Sequence, residues 1–273
     1  MIFSTTYALE IAVDAAKIAG QILRDMLESA SSRMKAPKDL VTDADLAAQA
    51  AIEKRILGEF PTHFFLGEES ATTQENWEAF ATKDYCWVVD PLDGTVNYVH
   101  RLPSFAVSIS LMRNKQSVLG VVFDPMAGEL FTAVEGKGAH LNGKPIQASS
   151  VHRLEDAMVA VSFPPQVHRE SIEIKQFIEV LLASQSVRRL GSAALNLCYV
   201  ANGRLDAYWA NSLKPWDVAA GALIAQEANA KLTDLMGNRF DLWNGEVLAA
   251  SNLSLWQELQ CSLEIASKEK NSN

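Results

Sequence analysis

Ala8, Ile11, Ala12, Ala15, Ala19, Ile22, Leu23 and Met26 recur at three- and four-residue intervals, which predicts an amphipathic helix whose apolar stripe is core. A polar stretch from Ser29 to Asp39, holding Pro37, reads as a connector. In Thr42-Asp43-Ala44-Asp45 a threonine stands three residues before an acid, ahead of an Ala/Ile/Leu-rich run to Leu57, the pattern of a capped helix start. His63 to Leu66 and Tyr85 to Val89 are short apolar runs of buried-strand type, each followed by carboxylates. From Phe105 to Leu141 the pattern becomes β: Val107/Ile109/Leu111, Val118 to Phe123 and Leu130 to Val134, with turns at Arg113-Asn114-Lys115, Pro125-Met126-Ala127-Gly128 and Asn142-Gly143. An antiparallel meander is predicted. After about Ser149, strands (Met158 to Ser162, Val187 to Leu190, Leu205 to Trp209, Val247 to Ala250) alternate with helices (Arg169 to Ser184, from Ser192, from Pro215). The change of pattern divides the chain near residue 148, into 1–148 with N-terminal helices and the antiparallel sheet and 149–273 with the alternating part. Only the tail from Lys268 to Asn273 reads as frayed.

Composition narrows the function classes. The chain has 273 residues, 48% apolar and 21% charged, ordinary for a globular protein. Lys and Arg number 24 against 33 Asp and Glu, a net charge of −9, which disfavours nucleic acid and anionic membrane as partners. Cys86, Cys198 and Cys261 lie far apart without a CxxC pair, so neither a disulfide framework nor a zinc site is expected. No leader pattern and no apolar run of about 18 residues appears, and a cytoplasmic location is the expectation.

Candidate chemistry concentrates in Trp87-Val88-Val89-Asp90-Pro91-Leu92-Asp93-Gly94-Thr95. A buried strand that ends in Asp, turns through Pro and delivers a second Asp beside Gly-Thr gathers two carboxylates and several backbone amides at one strand end. Such carboxylates repel one another, and hard divalent cations are their natural complement. The plainer reading is a tight turn with Asp at its corners, Gly at positive φ and Thr95 capping a short helix. Gly67-Glu68-Glu69-Ser70 closes another strand-like run, and Trp216-Asp217 opens an Ala/Gly-rich helix. Singly, these acids also suit solvated loops or helix first turns, and Asp45 suits a capping box. A phosphatase of the haloacid-dehalogenase type also uses strand, Asp, Asp, Gly, Thr, but its two aspartates are two positions apart, whereas here they are three apart with Pro91 between them.

The ordered set Gly67-Glu68-Glu69-Ser70, Asp90-Pro91-Leu92-Asp93-Gly94-Thr95, Gly191-Ser192-Ala193-Ala194 and Pro215-Trp216-Asp217 resembles the signatures of the inositol monophosphatase family, from about Leu40 to Ser251. The resemblance implies an α+β fold, a layered α-β-α-β-α sandwich of the inositol monophosphatase and fructose-1,6-bisphosphatase type, usually dimeric, so a homodimer is expected. It implies a Mg2+-dependent, lithium-sensitive phosphomonoesterase with two to three ions per site, Mn2+ able to substitute and Ca2+ and Li+ inhibitory. Carried over by position, Glu68, Asp90 and the Leu92 carbonyl hold one metal, and Asp90, Asp93 and Asp217 a second, with a third ion near Glu68. Gly94 and Thr95 give amides to the phosphate, Asp45 and Thr95 orient the attacking water, and Gly191, Ser192 and Ala193 join Asp93 and Asp217 around the substrate. Lys35, Glu69 and Asn211 are further candidates. Lys35 resembles a loop lysine near the third metal, although Met34 to Asp39 runs about one residue shorter than in the inositol-specific branch.

The implied substrate is a small phosphate ester. The same resemblance covers fructose-1,6-bisphosphatases, histidinol-phosphatases and nucleotide 3′- or 2′-phosphatases, and a non-catalytic or dual-role protein-binding member stands as an alternative of another class. The inositol-specific branch commonly carries an acid seven positions before the Trp-Asp aspartate. Here that position is Ala210, which argues against strict inositol specificity. The five histidines, His63, His100, His140, His152 and His168, form no motif.

Overall fold

A computed structural model describes residues 4–36, 39–71, 77 and 83–268. Helices α1 (Thr5–Met26) and α2 (Asp43–Glu59) flank a hairpin of β1 (Ser32–Ala36) and β2 (Asp39–Thr42). That hairpin replaces the connector expected over 29–39. Its first strand is exposed throughout, so no apolar alternation announces it.

Seven strands form the first sheet: β3 (Phe64–Gly67), β4 (Cys86–Asp93), β5 (Ala106–Arg113), β6 (Gln116–Asp124), β7 (Glu129–Val134), β8 (Ala139–Leu141) and β9 (Lys144–Ile146). They lie side by side in chain order, with β3 parallel to β4 and every later pair antiparallel, the meander read from the sequence. The second sheet has the order β11-β10-β12-β14-β13, from β10 (Met158–Ser162), β11 (Ser186–Arg188), β12 (Ala207–Ala210), β13 (Lys231–Thr233) and β14 (Val247–Ala250).

The remaining helices are α3 (Thr95–Val99), α4 (Ile172–Ala183), α5 (Ala193–Ala201), α6 (Pro215–Glu227) and α7 (Leu253–Lys268). α1 and α2 cover the outer face of the seven-stranded sheet, where Trp87, Val89, Ile109, Leu111 and Val121 meet Ile11, Ile52 and Ile56. α5 and α6 lie between the sheets, against Val88, Val122, Tyr208 and Ala249. α4 and α7 close the far face over Val159, Trp209 and Leu248. The fold is therefore the layered α-β-α-β-α sandwich. Covering both faces of both sheets explains why β4, β5 and β14 read as nearly continuous apolar runs. α7 was not foreseen from the sequence; its buried leucines, Leu255, Leu259 and Leu263, recur every four residues among polar neighbours. Among the described residues no helix is long and apolar enough to cross a membrane.

One close approach ties the first sheet to the middle layer. A Cβ on Gly120 of β6 would lie 2.8 Å from the Ala220 carbonyl oxygen and 3.1 Å from its Cα, both backbone atoms of α6. Gly120→Ala must therefore push α6 off the sheet. Overpacking of this kind costs about 1–3 kcal/mol, and a denaturant titration should show that loss with an unchanged m value.

Candidate metal and phosphate site

Strand alternation sets the first acid. Cys86, Val88 and Asp90 point to the same face of β4, toward the middle helices, while Trp87 and Val89 point to the outer ones. Asp90 pairs across the ladder with Ser108, whose hydroxyl donates to the Trp216 carbonyl oxygen at 3.1 Å. The first turn of α6 is thereby pinned over Asp90. Pro215 at the helix start and the Lys214 N–H, donating to Asp217 Oδ2 at 2.8 Å, fix the Asp217 side chain in that turn.

The ladder slips between Asp90 and Asp93. There the Leu92 N–H turns back to Asp90 Oδ1 at 2.9 Å, and the chain delivers Asp93 to the start of α5. Ser192 Oγ donates to Asp93 Oδ2 at 2.5 Å and the Ala194 N–H at 2.7 Å, while Ser192 also caps α5 by accepting from the Leu195 N–H. Gly94 then takes φ +101°, and Gly191 takes φ +88° with Asn97 packed where its Cβ would stand. Both positions favour glycine. Asn97 Nδ2 donates to the carbonyls of Ser104 and Leu190, each at 2.7 Å, which ties α3 to the loop before α5.

Asp45 is buried at the start of α2 and completes the capping box expected for it. Its Oδ2 accepts from the Thr42 N–H (2.8 Å) and hydroxyl (2.5 Å), completing a capping box, while its Oδ1 faces the Thr95 hydroxyl at 3.3 Å. The Thr95 hydroxyl is also 3.1 Å from the Leu92 carbonyl oxygen. Glu68 and Glu69 form a single 3-10 turn after β3, and Lys35 of β1 donates to Glu68 at 2.9 Å and Glu69 at 2.5 Å.

Electrostatics binds these residues into one group. Burial pushes Glu68 up to about 7, against the pull of Lys35, with Glu69 and Asp45 adding to the rise. Burial, then Glu68, Asp93 and Asp217, hold Asp90 well above the usual carboxylate range. Burial, then Asp93 and Glu68, do the same to Asp217. Asp93 rises to about 6 by burial, restrained by its bonds from Ser192 and Ala194. Asp45 is raised by burial, partly offset by Thr42.

Among the described residues no three acids, histidines or cysteines stand close enough together to hold a metal ion as placed. The carboxylates couple through space instead, each held by a hydrogen bond or ion pair of its own. The donor set nevertheless fits a hard cation: Glu68, Asp90, Asp93, Asp217 and the Leu92 carbonyl offer only oxygen, and their mutual repulsion is what a divalent ion would relieve.

Of the other candidates, Ala210 is fully buried beside Tyr208 on the middle-layer face of β12. Asn211 donates to Glu173 of α4 at 2.8 Å. Ser192, Ala193 and Ala194 meet the group through Asp93, whereas Gly191 packs on Asn97. Sequence reasoning missed Gln49, Asn97 and Ser108, whereas the Thr42–Asp45 capping box it read is present. Asn97, two residues after Thr95, and Gln49, one helical turn after Asp45, were detectable only by projecting the helices.

The chain matches the sequence profile of the Inositol monophosphatase family over residues 5–269. It is 42% identical over 253 residues to inositol monophosphatase 3 of Solanum lycopersicum, covering 90% of this chain and 92% of that protein. It is 38% identical over 249 residues to the Nus factor SuhB of Pseudomonas aeruginosa, covering 89% and 91%. The crystal structure of extragenic suppressor protein suhB from Bartonella henselae superimposes with a TM-score of 0.86 at 34% identity, covering 96% of this chain and 99% of that one.

Repulsion within the group predicts a stability signature. In EDTA, Asp90→Asn should melt several degrees above the unsubstituted protein, because one buried like charge is gone. Millimolar Mg2+ should raise the melting temperature of the unsubstituted protein and leave that of Asp90→Asn almost unmoved.

Proposed function

The chain belongs to the inositol monophosphatase family, and on that premise we propose that it is a Mg2+-dependent phosphomonoesterase acting on small polyol or sugar phosphates. What supports this reading is the electrostatic coupling of buried Asp90 to Glu68, Asp93 and Asp217, together with the hydrogen bond from the Thr95 hydroxyl to Asp45. Glu68, Asp90 and the Leu92 carbonyl would hold one Mg2+, and Asp90, Asp93 and Asp217 another. Bound there, the ions supply charge neutralisation for the phosphoryl group and activation of water.

The chain's own groups do the rest. Asp45 and Thr95 orient the attacking water, and Asp45, its carboxylate already raised by burial, takes up the proton. The amides of Gly94 and Thr95 receive phosphate oxygens, while Gly191, Ser192 and Ala193 border the leaving alcohol. Attack by water needs no side-chain nucleophile, which accords with the buried, hydrogen-bonded state of Asp90. Phosphate monoesters are among the slowest substrates to hydrolyse unaided, with accelerations up to about 10²¹. Asp90→Asn should lower turnover at least about tenfold, a barrier change of roughly 1.4 kcal/mol or more. A variant retaining most of its turnover would remove Asp90 from the residues that would hold the ions.

Breadth of substrate follows from Ala210. Its methyl group lies on the middle-layer face of β12, and Asn211 is engaged by Glu173, so neither offers a carboxylate to a ring hydroxyl. Losing a charge-assisted hydrogen bond of roughly 1.5–3 kcal/mol corresponds to about a ten- to hundredfold loss of selectivity. Catalytic efficiencies on inositol 1-phosphate, fructose 1,6-bisphosphate, glycerol 2-phosphate and nucleotide phosphates should therefore lie within about a hundredfold, and Ala210→Glu should move the ranking toward inositol 1-phosphate. A stronger inositol preference, or an unchanged ranking in the variant, contradicts the assignment.

A second reading has one observation behind it: the 38% identity to a protein named as a Nus factor favours a member that also works through a partner. Every acid of the motif set is present here, which favours retained catalysis. A measured phosphatase rate separates a catalyst from a purely binding protein.

A further inference from the structure

Gln49 stands one helical turn after Asp45 on α2 and is buried. Its Oε1 accepts the Glu69 N–H at 2.9 Å. To reach it, the amide crosses directly above Gly67, where a Cβ would lie 2.2 Å from Oε1 and 2.5 Å from Cδ. Gly67 has an ordinary extended backbone, φ −99° and ψ 147°, so space rather than conformational freedom accounts for glycine there. The turn after it, Glu68–Ser70, is only three residues long and has no side-chain cap of its own. Gln49 supplies from outside the acceptor that the turn lacks.

What it fixes is Glu68. This acid is the one that α2 and β3 bring toward both Asp45 and Asp90, and Lys35 grips it from the other side. With the Glu69 N–H held, the turn has one orientation, and the Glu68 carboxylate is placed before any cation arrives. We propose that Gln49 is a positioning residue, acting through the Glu68–Glu69 turn and the cleared space over Gly67 to set the cation affinity of the site. The inference rests on the phosphatase reading above. Groups that hold a metal ligand in place are typically worth 10- to 100-fold in metal affinity.

The test uses the full chain. Gln49→Leu keeps bulk and removes the acceptor, whereas Gln49→Glu keeps an acceptor oxygen. Gly67→Ala displaces the same amide from the opposite side and serves where Gln49→Leu folds poorly. Mg2+ binding is read by calorimetry, and turnover is followed against Mg2+ concentration. Gln49→Leu and Gly67→Ala should raise the Mg2+ midpoint about tenfold, with turnover at saturating Mg2+ within about threefold, while Gln49→Glu stays within about threefold on both. The proposal is overturned if Gln49→Leu or Gly67→Ala leaves the midpoint within twofold, if Gln49→Glu shifts it as far as Gln49→Leu, or if only turnover falls. Failure of the unsubstituted protein to hydrolyse phosphate esters would instead strike the phosphatase reading, and the calorimetric comparison would still judge Gln49.

Discussion

Several carboxylates buried against one another are the constraint around which this fold is arranged. Two like charges roughly 5 Å apart repel by about 3 kcal/mol at an effective dielectric near 20, a large share of a typical domain's stability. Burial raises the pKa values of Asp90, Asp93, Asp217 and Glu68, and repulsion from neighbouring acids adds to the rise at Asp90, Asp217 and Glu68. A sequence optimised only for stability would have replaced them. A divalent cation is the counter-charge we propose for them.

The surrounding architecture keeps the acids in place while they repel. β4 is paired on both sides and covered on both faces, so its end cannot drift. The slip after Asp90 then separates two acids that a regular strand would carry on to the sheet in fixed alternation, and sends Asp93 to the first turn of α5. Asp217 occupies the first turn of α6, where the helix dipole partly compensates an anion. The middle helix layer thus delivers two helix starts to one strand end. Ser108 joins these parts through one hydrogen bond and Thr42 and Asn97 through two each, each bond worth about 1 kcal/mol net and more in positional terms.

Much of this was legible in the sequence because periodicity and turn chemistry are local. Thr42 as helix cap, the meander with its Asn142-Gly143 turn, and Pro215 opening α6 all follow from a few neighbouring residues. The hairpin over Lys35 was not legible, since its first strand is exposed throughout and its second is only four residues long, and α7 was not legible because its polar residues dilute a one-per-turn apolar stripe. At the site, the four ordered motifs identified the acids, but not who holds them. That Asp93 would bond Ser192, 99 residues away, or that the Gln49 amide would lie over Gly67, depends on how separate elements pack, which no local pattern records.

The central claim is that this acid group is a divalent-cation site. It is tested most directly by growing crystals with Mn2+ and recording anomalous diffraction at the manganese edge. The account predicts strong peaks among Glu68, Asp90, Asp93 and Asp217, lost when crystals are exchanged into excess Mg2+. Peaks confined to surface carboxylates, with none among these four residues, would contradict it.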